Sequence, residues 1–282
     1  LFHRLSCALR CSSSIFFFLD KLPARLEHDA VYYNLSLAQR EPIALNDLVG
    51  KEFKLEFTGR LQCIDCKKIV KKFYAPGLCY VCRMSSALNS DCILRPELCE
   101  AHLGKGKVPE WEEKYHNQIH IVYLANSGGL KVGVTRADQI PTRWIDQGAD
   151  EVIILALTPY RQLAGQIEVV LKNQLSDKTN WRAMLKNVKD LSIDLKVEKR
   201  RYAAWLVDQN QEYEHYIAED DTVHVLNYPS TVLTQPIQSI KLDKQAKLEG
   251  VLTGIKGQYL ILNEKTVMNI RSHAGYEVYV NL

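Results

Sequence analysis

Apolar and polar positions alternate from residue 53 to 62, with Phe53, Leu55 and Phe57 set against Lys54, Glu56 and Thr58, and this period of two predicts a strand. Further along, Ile119 to Ala125 reads as a buried strand, Asn126-Ser-Gly-Gly129 as a turn, and Leu130 to Thr135 as a returning strand. Pro141 starts a short helix carrying Arg143 and Trp144, and Glu151 to Thr158 forms a third strand. The pattern then changes period. Pro159 opens a helix to about Ser176, with Leu163, Ile167, Val170, Leu171 and Gln174 along its inner side. Helices from about Asn180 to Val188 and from Glu198 to Ala218 follow. From Thr222 the chain returns to short strands: Val223–Val225, Ile237–Leu242, Gly250–Ile255, Tyr259–Leu262, Val267–Ile270 and Glu277–Val280. Glycine and asparagine punctuate them, as in a small barrel or sandwich.

Cysteine spacing adds a metal to this picture. Cys63-Ile-Asp-Cys66 and Cys79-Tyr-Val-Cys82 are two CxxC pairs twelve residues apart, and two such pairs complete the tetrahedral sulfur shell that Zn²⁺ prefers. The strand before Cys63 and the Ala75-Pro-Gly77 turn make residues 51 to about 84 a zinc ribbon. A second Zn²⁺ site is suggested by Cys92, Cys99, His102 and His116, which would staple the loop-rich stretch from Ser85 to about Gln118; His120 is the alternative to His116. Six of the eight cysteines lie between Cys63 and Cys99, which suits metal ligation in a reducing, cytoplasmic setting.

Composition changes the picture less. With 46% hydrophobic and 24% charged residues in 282, the chain reads as globular, with two domains and a small extra module. Charge is uneven: residues 51 to 75 carry seven Lys/Arg against three acids, whereas Tyr202 to Ile240 carries six acids and no Lys or Arg. The basic surface therefore sits around the CxxC pairs, where a polyanion or only solvent would meet it. Ile15-Phe-Phe-Phe-Leu19 is too short to span a bilayer, so no membrane partner is expected. The first nineteen residues have Arg4, Arg10, serines and no acid, the composition of a targeting segment or of translated upstream sequence. They carry no part of the functional reading, and Cys7 and Cys11 stay unassigned.

Ile121-Val-Tyr123 and Lys131-Val-Gly133, followed by Arg143, Glu168 and Asn180, resemble in order the GIY-YIG nuclease superfamily. More specifically, Lys131-Val-Gly-Val-Thr-Arg136, Gln139-Ile-Pro-Thr-Arg-Trp-Ile-Asp-Gln-Gly148 and Asp177-Lys-Thr-Asn-Trp-Arg182 resemble a bacterial family of unknown function that joins a cysteine-rich zinc head to such a domain. The resemblance implies an α+β fold: an N-terminal zinc ribbon, a GIY-YIG-like three-stranded antiparallel sheet flanked by helices, and a small all-β C-terminal module. The corresponding boundaries are 1–48 for an N-terminal extension, 49–118, 119–220 and 221–282.

The resemblance also implies phosphodiester hydrolysis in DNA or RNA. Glu168 would hold a hydrated Mg²⁺ or Mn²⁺, and Arg143 would grip the phosphate. Tyr123 would orient or deprotonate water, with Lys131 lowering its pKa or touching phosphate, and Gly133 would let the backbone approach substrate. Ile121 stands where the family has glycine, and Lys131 where it has the second tyrosine. Only seven residues separate the triplets, so a degenerate domain that binds nucleic acid, or a ribosome, without cutting is the alternative. Glu168 also shares a helix stripe with Arg161, Gly165 and Lys172 and would pair with a neighbour there, while Asn180 would serve as a helix cap.

Overall fold

A computed structural model of the chain describes residues 15–37, 40–175, 180–186 and 190–281. Cys7, Cys11 and the Asp177–Thr179 part of the third resemblance phrase lie outside the described residues. The chain opens with strands β1 (Ile15–Phe18), β2 (Ala24–Glu27), β3 (Ala30–Leu37), β4 (Arg40–Ala44) and the long β5 (Glu52–Gln62). The cysteine-rich stretch holds β6 (Ile69–Val70), helix α1 (Tyr80–Ser85), a run of 3-10 turns between Ala87 and Leu103, and α2 (Pro109–His116). There follow β7 (His120–Asn126), β8 (Leu130–Arg136), α3 (Thr142–Asp146), β9 (Glu151–Thr158), α4 (Arg161–Lys172), α5 (Trp181–Leu185) and α6 (Leu195–Gln209). Six strands close the chain: β10 (Val223–Val225), β11 (Gln238–Ser239), β12 (Lys247–Lys256), β13 (Tyr259–Leu262), β14 (Thr266–Asn269) and β15 (Tyr276–Asn281).

The fold is α+β with several sheets. β5 is not only a lead into the cysteines. It lies inside an eight-stranded sheet, between β12 and β15, and β1 pairs β15 on the far side. One sheet therefore joins strands from the expected extension, the cysteine-rich module and the C-terminal β module. Its alternation explains this: Phe53 and Leu55 are buried, and the apolar partners they need, Leu248, Leu252, Val278 and Val280, come from the other end of the chain. Each such side chain stabilises by about 1.5–3 kcal/mol when fully buried, so the non-local pairing outweighs the local one.

The second sheet has the order β10-β9-β7-β8, four strands rather than the expected three. Val223–Val225, placed by its spacing in the C-terminal module, instead pairs antiparallel with β9 through Val223↔Ile153 and Val225↔Glu151. β7 is buried along its whole length. Ile121, Tyr123 and Ala125 face the core shared with the large sheet, while Val122 and Leu124 face Leu163, Ile167 and Leu171 of α4. Polar ties lock the two sheets: Lys256 Nζ to Asp150 Oδ1 at 2.5 Å, Gln258 Nε2 to Asp146 Oδ1 at 2.8 Å, and Tyr228 Oη to the Ala149 carbonyl at 2.8 Å.

α6 starts three residues before the periodicity suggests, because Asp194 caps it by accepting from Lys196 N and Val197 N. It also ends early. Asn210 caps a following 3-10 turn over Gln211–Tyr216 and takes the chain out of the α-helix. Among the described residues no helix is long and apolar enough to cross a membrane.

Candidate metal centres and an adjoining cationic cleft

Cys63 follows β5 directly and is fully buried, and the chain turns at once: Lys67 takes a φ of 60°, with Lys67 N donating to Cys63 O at 3.0 Å. The second pair sits not on another β knuckle but at a helix start. Cys79 caps α1, its Sγ accepting from Cys82 N at 3.4 Å, and Cys79 N donates to Cys63 Sγ at 3.4 Å. Burial pushes the Cys63 thiol up, but N–H groups of Cys79, Cys66 and Asp65 together bring it down to about 7. All four Sγ atoms lie within 4.8 Å of one another, Cys66 and Cys79 at 3.9 Å. A tetrahedral shell with Zn–S bonds of about 2.3 Å separates its sulfurs by about 3.8 Å, so the cluster could hold zinc with little adjustment. Lys67, Lys68, Lys71 and Lys72 are exposed beside it.

Cys92, Cys99 and His116 form a second buried group, their ligand atoms also within 4.8 Å of one another. His102, expected as a fourth member, is not part of it; its ring stacks on Tyr160 with centroids 4.1 Å apart. His120 is not part of it either. Its Nδ1–H donates to the Gln118 carbonyl at 2.7 Å, and its buried Nε2 has no partner. Burial brings the His120 pKa down from 6.5 to about 4, because a proton on Nε2 would be a buried charge with no acceptor. The folded-state pKa is the lower one, so this contribution to stability is full above about pH 6.5. It is lost as pH falls toward 4, on the order of 3 kcal/mol in all. Urea melts at pH 7 and pH 4.5 should show the loss, with His120→Gln flattening part of it.

Arg143 of α3 and Glu168 of α4 line one cleft of about 150 Å³, together with Gly133, Gln147, Arg161 and Lys172. Ile93, Leu94 and Pro96 of the cysteine-rich stretch close its other side. Glu168 pairs with Lys172 at 3.2 Å and, among the described residues, is the only carboxylate of the lining, against three cations. The helix-stripe pairing is thus present, and it lies inside the cleft. A larger hollow adjoins, sharing Ile93, Leu94, Val134, Arg143 and Arg161 and adding Arg136, Arg271 and Trp111. Excess positive charge in a low-dielectric hollow favours an anion.

Tyr123 backs this cleft without opening into it. It is fully buried and donates through Oη to Gln147 Oε1 at 2.7 Å. Burial pushes its pKa up to about 12; Arg143 pulls it down in part, and Glu168 and Asp146 push it further up. The expectation that Lys131 would make this phenol a stronger acid does not match these surroundings. Lys131 is itself buried, held down to about 8 by burial and then by Arg143, with Asp150 opposing, and it is not among the cleft's lining residues. Asn180 caps α5, its Oδ1 accepting from Ala183 N at 3.2 Å, and does not line the cleft.

The match to the family described as "Protein of unknown function (DUF2797)" spans residues 50–278. The chain belongs to that family. No curated protein and no solved structure matches it.

The DUF2797 span runs from the start of β5 to within β15, so it contains both cysteine groups, the cleft and the paired centre of the large sheet. For two residues of the resemblance phrases in this DUF2797 chain, the structure supplies contacts that the sequence does not give. Gln147, the acceptor for Tyr123, carries no spacing signal at all. Gly133 suggests room for substrate, but a Cβ there would lie 2.6 Å from Tyr123 Oη, so the glycine makes room for the phenol. Gly133→Ala should therefore displace Tyr123 from Gln147 and cost about 1–3 kcal/mol, read as a lowered melting temperature. An unchanged melt would refute the close packing.

Proposed function

We propose that this protein is a metal-dependent nuclease that hydrolyses phosphodiester bonds in nucleic acid at a GIY-YIG-like site, targeted by its zinc-bearing Cys63/Cys66/Cys79/Cys82 module. One observation carries the reading: a guanidinium and a carboxylate from separate helices, Arg143 and Glu168, line the same cleft, with the Tyr123–Gln147 pair behind them. Glu168 would hold the Mg²⁺ or Mn²⁺, an ion that takes few protein ligands and neutralises charge on the leaving oxygen when bound. A single carboxylate fits that demand, provided that Lys172 turns from Glu168 to the phosphate. Arg143 offers a planar fork for the phosphate oxygens, and Arg161 adds charge beside it. Tyr123, with its pKa up to about 12, stays protonated and so positions rather than accepts: its hydrogen bond orients Gln147, which lines the cleft. The exposed lysines beside the sulfur cluster would add salt-sensitive backbone contacts.

A second reading, binding without cleavage, is favoured by the buried phenol and by the Glu168–Lys172 pair. Incubating purified protein with Mn²⁺ and single- and double-stranded DNA and RNA separates the two. Cleavage by the wild type that Glu168→Ala abolishes, with binding kept, supports the nuclease. Intact substrates throughout leave the binder.

A further inference from the structure

The stretch from Ser86 to Gly104 has only a small apolar cluster of its own. It is a chain of four 3-10 turns whose buried apolar cluster consists of Cys92, Cys99 and Ala101, while Leu88, Leu94, Leu98 and Leu103 are exposed. Yet it walls the cleft. Its grip on α4 is specific: Arg161 donates through Nε and Nη2 to the Cys92 carbonyl at 3.1 and 2.9 Å, and through Nη2 to the Ile93 carbonyl at 3.2 Å. One turn on, Gly165 lies so close to the Pro96–Glu97 backbone that any Cβ would collide with it. Glu168 and Lys172 continue the same stripe into the cleft.

Distances identify what could staple the loop. With Zn–S bonds of about 2.3 Å and Zn–N of about 2.05 Å, a tetrahedral ion places sulfur and nitrogen about 3.6 Å apart. Cys92 Sγ and Cys99 Sγ stand 3.6 and 3.5 Å from His116 Nδ1. All three residues are at most 4% exposed. Glu112 Oε2 is 3.8 Å from Cys92 Sγ but does not join the three ligand atoms, so the fourth corner falls to water.

We propose that Cys92, Cys99 and His116 bind a second zinc ion, and that this ion sets the wall of the cleft by fixing the carbonyls that hold Arg161 and α4. Arg161 is then a positioning residue that joins the metal loop to the Glu168 stripe. The proposal does not depend on hydrolysis in the cleft, and none of its readouts measures cleavage.

The test uses the full chain purified under reducing conditions. Metal analysis should find two zinc ions per chain in the wild type, one in His116→Ala, and two again in His116→Cys, which keeps a ligand. With cobalt in place of zinc, thiolate-to-metal charge-transfer absorbance should fall by about a third in the Cys92→Ser, Cys99→Ser double variant, since six thiolates become four. Amide exchange in His116→Ala should quicken at least roughly tenfold over residues 91–99 and also over the first two turns of α4, with 63–82 unchanged. One zinc in the wild type, as a Cys92–Cys99 disulfide would give, overturns the site. Two zincs retained in His116→Ala overturn the ligand assignment. Exchange confined to the loop, with α4 unaffected, overturns the coupling. Should His116→Ala fail to fold, the wild-type cobalt spectrum decides: six-thiolate intensity supports the site and four-thiolate intensity overturns it.

Discussion

Cys63→Ser combined with Cys82→Ser should release one zinc ion and unfold residues 63–86, while the large sheet survives. The local core is small: Cys63, Leu78 and Cys82, with Ile64, Ala75 and Cys79 packed around them. Burying Leu78 contributes about 1.5–3 kcal/mol. That is too little apolar burial to order a segment of this length, and a structural zinc ion, worth on the order of 10–16 kcal/mol of apparent binding energy in small modules, is the largest single stabilising contribution open to it. β5 is different, because β12 and β15 hold it on both sides independently of the sulfurs. Amide exchange should therefore collapse to near-free rates after Cys63 and stay slow across Phe53–Phe57. Zinc retained by the double variant, or protection kept over 63–86, would contradict the assignment of this cluster as the module's staple.

On the proposed nuclease reading, Glu168→Ala should lower Mn²⁺-dependent cleavage by at least roughly 100-fold, because it removes the one carboxylate that lines the cleft among the described residues. Binding should persist or tighten, since Arg143, Arg161 and Lys172 then face the phosphate with no competing negative charge. Arg143→Lys keeps the charge but loses the two-pronged grip, so it should not rescue what Arg143→Ala loses. Both arginine variants should weaken binding as well as cleavage. Affinity measured by fluorescence anisotropy from 50 to 200 mM salt, beside single-turnover cleavage, separates the two effects. Equal cleavage by wild type and Glu168→Ala would remove the carboxylate from the mechanism.

Much of the small sheet is legible in the sequence because its signals are local. Glu151–Thr158 is bounded as its apolar run suggests, and Ile119–Ala125 with Leu130–Thr135 recur as β7 and β8 shifted by a residue or less at each end. The four CxxC sulfurs converge as their spacing requires, since two residues between ligands leave one turn to close. His102 is the weak member of the second group. Two residues also separate it from Cys99, but a 3-10 turn over Ala101–Leu103 carries its ring to Tyr160 instead.

The chain's own order of residues thus determined the hairpin, the helix stripe from Arg161 to Lys172 and the sulfur quartet, all set by spacings of a few residues and so by backbone geometry. Tertiary structure alone decided that β5 joins strands some two hundred residues away, that Val223–Val225 crosses to the other sheet, and that Gln147 meets Tyr123. Those outcomes depend on which apolar faces find each other in three dimensions, and a strand's own alternation says that it needs a partner without saying which one.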